Sequence, residues 1–393
     1  MEFELRPHTQ LLTIAGSRAY GIHKPDSDVD VKGVAIPPAR YYLGFLRKFE
    51  QADKPEHLKK FMDLIPQDLL AVIASSKLEG SIYEISKFFT LASDCNPNIL
   101  DIIFCRDEEV LLQTPTGKII RDNRDLFLSA KAKHTFSGYA MAQLKRIRHH
   151  RSWLLNPPQK KPERADFGLP ERTLIPPEQL NAIQASVRKV LDHWDLNFIT
   201  LPLSEKTALE ESVQGYLVEF CSNLPEGLIS DEDRVAGAKW LSAARHVGVD
   251  DNLILVMQKE REYDGAFRYW KQYQTWKAER NSDRAAGEAQ FGYDVKHGGH
   301  LVRLLRMGRE VLETGKVHVW RGPGAGSPND AEELRSIRKG AWSYEKLIEW
   351  AEGEDKALQE TYNKKKYVVP HSPDREALDD LCVKLIGVSL SSL

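Results

Sequence analysis

Two aspartates one residue apart, Asp28 and Asp30, stand a short way after a glycine–serine pair, Gly16-Ser17. On an extended segment alternate side chains share a face, so Asp28 and Asp30 project together while Val29 and Val31 project to the other side. Two carboxylates that close repel each other and raise one another's pKa, and a divalent cation relieves the conflict. Oxygen-only ligation selects a hard ion such as Mg²⁺, which takes one or two carboxylates and completes its shell with phosphate oxygens and water. Gly16 lets the backbone approach an anion, and the N–H groups of a helix opening there add unpaired donors and a favourable dipole. The Ser17 hydroxyl and the Arg18 guanidinium contribute a hydrogen bond and a charge. A phosphate cradle beside a carboxylate pair is the chemistry of a nucleoside-triphosphate site. The same residues also read as a hairpin whose aspartates are merely solvated.

A second cluster lies far along the chain. Asp294 reads as a helix N-cap. Lys296, His300 and Arg303 then fall at i, i+4 and i+7 on one face, while Leu301, Leu304 and Leu305 fill another. Three cations in the first turns of a helix can hold a triphosphate or an acceptor, with Gly298-Gly299 leaving room; the alternative is a solvated basic face. Metal ligation by His297 and His300 is disfavoured, because the sequence offers no acidic partner beyond Asp294. A third set, Tyr139, Gln143, Arg146 and His150, shares one helical face within the basic run from Lys145 to Arg151. That run reads equally as a nucleic-acid-contacting surface or as a solvated face. Gly138 costs about 1 kcal/mol inside a helix, which implies a close approach by a ligand or by another helix.

The elements that position these residues can be laid out along the chain. Leu11 to Ala15 and residues 28 to 36 read as strands, the second stopped by Pro37-Pro38. Residues 61 to 77 fit helix and strand templates alike. A further strand runs near Leu78, and helices follow from Tyr83 to Ala92 and after the Asn96-Pro97 turn. Lys131 to Leu155 is an amphipathic helix. A proline-rich linker and loop occupy 156–177, and residues 178 to 279 are helical throughout, with apolar stripes at Val187, Val190, Leu191 and Trp194 and at Trp240, Leu241, Ala244 and Val247. Residues 281 to 288 read as a loop and 316 to 320 as a short extended piece. Two domains are expected, 1–125 and 126–393.

Composition bounds the rest. The 393 residues suffice for two domains, and 41% hydrophobic with 28% charged residues fits a soluble globular chain. A net charge of −2 excludes global attraction to nucleic acid, so such binding must come from local patches. Cys95, Cys105, Cys221 and Cys382 form no CxxC pair, which points to free thiols in a reducing compartment. With no leader-like or membrane-spanning run, a cytoplasmic location is expected.

Gly16-Ser17 with Asp28-x-Asp30 resembles the signature of the DNA polymerase beta-type nucleotidyltransferase superfamily. The fuller string, Gly16-Ser-Arg-Ala-Tyr-Gly21 with Ser27-Asp-Val-Asp30, resembles one branch, the predicted nucleotidyltransferases that include the RNA-repair-pathway group. Cys95-Asn-Pro-Asn-Ile-Leu-Asp101 and the Lys296-His297…His300-x-x-Arg303 helix are similar to the same branch. The resemblance implies an α+β fold: a polymerase-beta-like domain with a small mixed sheet, then a mostly α-helical domain. It implies a third carboxylate from a neighbouring strand, with Glu79, four positions before Tyr83, as the first candidate and Glu84 the second. For Glu84 a first-turn helix carboxylate is the stronger reading. Asp28, Asp30 and Glu79 would bind two Mg²⁺ ions (Mn²⁺ in their place is compatible), with Gly16, Ser17, Arg18, Lys296, His300 and Arg303 on the nucleotide. The implied reaction moves a nucleoside monophosphate from a triphosphate, ATP foremost, to an acceptor hydroxyl, an RNA end foremost. Nucleotidylylation of a protein or small molecule, and a non-catalytic nucleotide- or RNA-binding module, are the competing readings.

Overall fold

A computed structural model of the chain describes residues 3–173, 175–199, 240–280 and 282–391. Its core element is a five-stranded sheet: β1 (Thr9–Ala15), β2 (Val29–Ala35), β3 (Gln51–Ala52), β4 (Leu78–Glu84) and β5 (Val110–Gln113), in the order β3-β4-β2-β1-β5. β1 is an interior strand, buried along its whole length, and pairs antiparallel with β2 and β5. β2 pairs parallel with β4, so the sheet is mixed. The two sides of β2 explain its sequence. Val29 and Val31 enter a core with Leu12, Ile14, Leu58, Phe61 and Ile82. That core is roofed by segment 55–73, which the structure resolves as helical turns. Asp28, Asp30 and Lys32 project to the opposite face, by the two-residue alternation of an extended chain.

The main helices are α1 (Gly16–Ala19), α2 (Ile85–Ser93), α3 (Pro97–Phe104), α4 (Pro115–Asp122), α5 (Ala132–Leu155), α6 (Pro177–Ile199), α7 (Asp251–Glu279), α8 (Ser282–Phe291), α9 (Val295–Thr314), α10 (Ala331–Arg338), α11 (Tyr344–Asn363) and α12 (Arg375–Ser391). Asn96 caps α3 and Pro97 occupies its first turn, the structural role the sequence assigns them. α5 lies along α9. Phe136, Ala140, Leu144 and Ile147 share one core with Leu301, Leu304 and Leu305. A Cβ on Gly308 would stand 2.9 Å from the Phe136 Cβ, so the glycine permits the close crossing. Each buried leucine of that seam contributes about 1.5–3 kcal/mol.

That seam decides the chain's division. One unit comprises Met1–Asn156 with Asn281–Leu393, the other Pro157–Arg280. This differs from the expected break at residue 125, because α5 and the C-terminal helices share a continuous apolar core with the helices of the sheet. In the second unit, Val187, Val190, Leu191, Trp240, Leu241, Ala244 and Val247 join one cluster, and Arg164 pairs with Glu260 at 2.7 Å. The expected helical run through 200–239 and the Trp194 side chain lie outside the described residues, as does Cys221.

Three expectations change. Residues 282–291 are a helix, not a loop. Gly138 has open space beside it rather than a close neighbour. Gly298 and Gly299 admit no ligand: a Cβ there would meet the Tyr293 ring at 2.9 Å and Arg338 Cγ at 2.6 Å, so they serve helix packing. Among the described residues no helix is long and apolar enough to cross a membrane.

Candidate active site

The site is built where β1 ends and β2 and β4 begin. Ala15, the last residue of β1, pairs with Asp30, and the chain turns at once into α1 through Gly16 at φ +62°. A Cβ on Gly16 would lie 1.9 Å from Asp30 Oδ2. The glycine bend therefore rests directly on the carboxylate, and only hydrogen fits between them. In the parallel register Asp30 stands opposite Glu79. Gly80, at φ +150°, brings β4 so close that a Cβ would be 1.7 Å from the Val31 carbonyl oxygen. Asp28 is exposed, and its Oδ1 accepts the Lys77 amide at 3.2 Å, tying it to the start of β4. Burial raises the Asp30 carboxyl above its ordinary range; Lys32 opposes this, the negative charges of Glu79 and Asp28 add to it, and Lys296 offsets a further part.

Glu79 and Glu84 part company in this frame. Glu84 pairs with Ala35 at the other end of β4. Its Oε2 caps α2 by accepting the Lys87 amide at 3.0 Å, and its Oε1 accepts the Tyr42 hydroxyl at 2.7 Å. It is a buried helix cap. Arg18 also has other duties than the phosphate contact expected of it. Its Nη2 donates to the Ser27 carbonyl at 2.7 Å and its Nε to that of Asp28 at 3.4 Å, so it staples the loop leading into β2. Ser17 sits in the first turn of α1.

α9 supplies the positive side. Asp294 caps it, Oδ1 accepting the Lys296 and His297 amides at 2.9 and 3.1 Å. Arg303 is only 2% exposed. Its guanidinium lies 3.7 Å above the Tyr20 ring, Nη1 donates to Met307 Sδ, and Nε has no hydrogen-bond partner. Burial and the charges of Arg303 and Arg338 hold His300 well below the usual imidazole range, so it is neutral at physiological pH. Lys32 donates to the Asn98 carbonyl at 2.8 Å.

Three participants carried no role in the sequence reading. The Tyr20 hydroxyl donates to Asp101 Oδ2 beneath the Arg303 guanidinium, and Asp101 is 2% exposed. Asp101 is the one charged residue in the apolar run Ile99–Phe104, a signal that it faces something other than lipid-like core. Arg321, fully buried, is locked by Glu310 and Asp330 at 2.8 and 2.6 Å, and its amide donates to the Tyr20 carbonyl at 3.2 Å. It fixes the turn carrying Tyr20.

The donors are oxygens alone, the set that a hard divalent ion takes. Asp30 and Glu79 stand opposite each other on adjacent strands with Asp28 just before them, neither aspartate is locked onto an arginine, and Asp30 is desolvated against a bend that excludes any side chain, but the three carboxylates are not drawn together within 4.8 Å of one another.

Residues 6–155 match the family described as the RNA repair pathway DNA polymerase beta family. An uncharacterized 38.9 kDa protein of Enterobacteria phage T4, from the nrdC-mobD intergenic region, is 30% identical over 130 residues, covering 33% of this chain and 35% of the phage protein. The alignable stretch thus spans about a third of that relative. No solved structure matches the chain. Residues 6–155, which carry the glycine bend, the strand carboxylates and α5, are thus similar to the polymerase beta-like nucleotidyltransferase superfamily in its RNA repair pathway branch.

Proposed function

We propose that the protein transfers a nucleoside monophosphate from a nucleoside triphosphate to an acceptor hydroxyl, foremost at an RNA end, releasing pyrophosphate. The observation that carries this reading is the Gly16 bend packed on the Asp30 carboxylate, with Glu79 in register beside it. Asp28, Asp30 and Glu79 would hold Mg²⁺, which when bound neutralises phosphate charge and orients the reacting oxygens. The amides after Gly16 and the Ser17 hydroxyl grip phosphate oxygens. Lys296 and Arg303 add charge, and neutral His300 offers a hydrogen bond without further repulsion. The acceptor oxygen bonds to the α-phosphorus as the bond to the β-phosphate oxygen breaks. The hydroxyl proton passes to Glu79, exposed at the rim of the sheet.

Buried, partner-poor Arg303 supports an anionic ligand, because a desolvated guanidinium with an unused donor is stabilised when phosphate completes it. The test incubates the protein with each α-labelled triphosphate, Mg²⁺ and total RNA. Label in RNA is expected, and it should fall by at least about 10³-fold in Asp28→Ala/Asp30→Ala with the fold intact. Unchanged incorporation in that double variant overturns the reading. Label in the protein itself replaces RNA by a protein acceptor.

A further inference from the structure

At the N-terminal end of α9, three side chains from three helix regions come together, with a fourth, His297, beside one of them. His150 comes from the last turns of α5, Glu288 from α8, Asp294 is the cap of α9, and His297 lies in its first turn. Ligand-type atoms of His150, Glu288 and Asp294 all lie within 4.8 Å of one another. His150 Nδ1 is 3.6 Å from Glu288 Oε1, and His297 Nε2 is 3.5 Å from Asp294 Oδ2. The two imidazole centroids are 6.2 Å apart. Glu288 and Asp294 are 2% and 3% exposed.

We propose that this cluster is a structural site for a borderline divalent transition cation of the Zn²⁺ class, held by His150, Glu288, Asp294 and His297. Geometry comes first. Four ligands arranged tetrahedrally at about 2.0–2.2 Å from Zn²⁺ lie roughly 3.3–3.6 Å from each other, and both measured histidine–carboxylate separations sit at that spacing. Asp294 spends Oδ1 on the helix cap, which leaves Oδ2 for the cluster. Charge is the second argument. Two carboxylates removed from water are costly to hold side by side, and a divalent ion bound between them offsets both charges at once. A mixed nitrogen and oxygen set selects against Mg²⁺ and Ca²⁺ and for Zn²⁺ or a neighbour in the transition series. Four protein ligands close the coordination sphere, which makes the site structural rather than catalytic.

The consequence reaches the nucleotide site without depending on how that site is read. An ion here pins α5 and α8 to the first turn of α9, the helix that carries Lys296, His300 and Arg303. In the sequence Glu288 falls in a stretch that reads as a loop; the helix at 282–291 brings it to His150 and adds an acidic group to Asp294.

The full chain, stripped with a chelator and checked by circular dichroism, is titrated with Co²⁺. One equivalent is expected, with the visible absorption of tetrahedral cobalt, bleached by added Zn²⁺. The thermal midpoint should fall on stripping and recover with Zn²⁺. His150→Ala and Glu288→Gln should each weaken Co²⁺ binding by more than about 100-fold, since even outer partners of metal ligands are worth about 10–100-fold. Asp28→Asn/Asp30→Asn should leave the titration unchanged, so failure here is read apart from failure at the strand carboxylates. A folded wild-type chain that gives no tetrahedral absorption and melts alike with chelator and with Zn²⁺ overturns the proposal, leaving two histidine–carboxylate ion pairs. Binding that survives in both variants overturns it too.

Discussion

Asp28 and Glu79 stand in solvent at the rim of the sheet, whereas Arg303, on the helix whose Lys296 acts on Asp30, is 2% exposed and His300 has lost its proton to burial. The acidic side is wet at Asp28 and Glu79, though not at Asp30, and held by backbone: strand register, a glycine bend, one amide to Asp28. The cationic side is dry and held by side chains: Tyr20 under Arg303, Asp101 under Tyr20, Arg321 behind the turn. Wet carboxylates exchange water for an ion at little cost, while a dry guanidinium is already desolvated for phosphate. The contrast predicts that changes to the acidic side cost activity and spare stability, and that changes to the cationic side cost both.

Gly16→Ala should have the broadest effect, on activity and stability together, because it strikes the hinge between the sides. The new methyl would fall 1.9 Å from Asp30 Oδ2, at a φ that alanine adopts with strain. The carboxylate must swing away, and displacing a reacting group by about 1 Å costs roughly 10²-fold in rate. Stability should drop by only about 1–2 kcal/mol. Incorporation within tenfold of wild type, measured with α-labelled triphosphate, would break the claim that the bend sets the carboxylate.

A paired exchange sharpens the comparison along one strand. Glu79→Gln should lower turnover by about 10²–10⁴-fold, the range of general acid–base groups, with an unchanged melting temperature. Glu84→Gln should do the reverse: turnover within a few-fold, and stability lower by about 1–2 kcal/mol as the α2 cap and the Tyr42 bond weaken. If both variants behave alike, register does not separate their roles.

Arg303→Lys probes the dry side. Lysine keeps the charge but not the planar stack on Tyr20, a contact worth about 2 kcal/mol when desolvated. The triphosphate KM should rise by about tenfold or more, and the melting temperature should fall. A change in KM alone would mean that the stack positions the ligand without supporting the fold.

How much of this was legible follows from the range of the interactions. The carboxylate face and the glycine bend are written within residues 16–30, since a two-residue alternation and a single special φ are local properties. The choice of Glu79 over Glu84 came from resemblance; strand register, a non-local fact, is what places one opposite Asp30 and the other opposite Ala35. The cationic face of α9 is legible from helical spacing, but not which groups bury it. Tyr20 and Arg303 meet only because α5 and α9 pack across the chain's midsection, the same packing that moves the domain boundary from 125 to 156. Arg18 shows the same limit: a cation near a phosphate loop reads as a phosphate ligand, while the carbonyls it also holds appear only once the loop into β2 is folded.

The smallest effect is the most diagnostic of the wet side, because it runs opposite to function. Burial raises the Asp30 carboxyl, so the folded chain binds that proton more tightly than the unfolded chain. A group with a raised folded-state pKa favours folding when protonated, and this advantage is lost as pH rises from the unfolded value through the folded one. Above that window the ionised Asp30, pressed against Gly16 with Glu79 and Asp28 nearby, works against the fold. Asp30→Asn should therefore raise stability at neutral pH without divalent ions, by on the order of 1 kcal/mol or about 2 °C, while abolishing transfer. Below the ordinary carboxylate range the two proteins should melt together. Mg²⁺ should raise the wild-type melting temperature and leave that of Asp30→Asn unmoved, as expected for an ion that binds the native carboxylates. A variant that is less stable than wild type at neutral pH would show that Asp30 is held by a partner already in place, and that the strand carboxylates are not waiting for a cation.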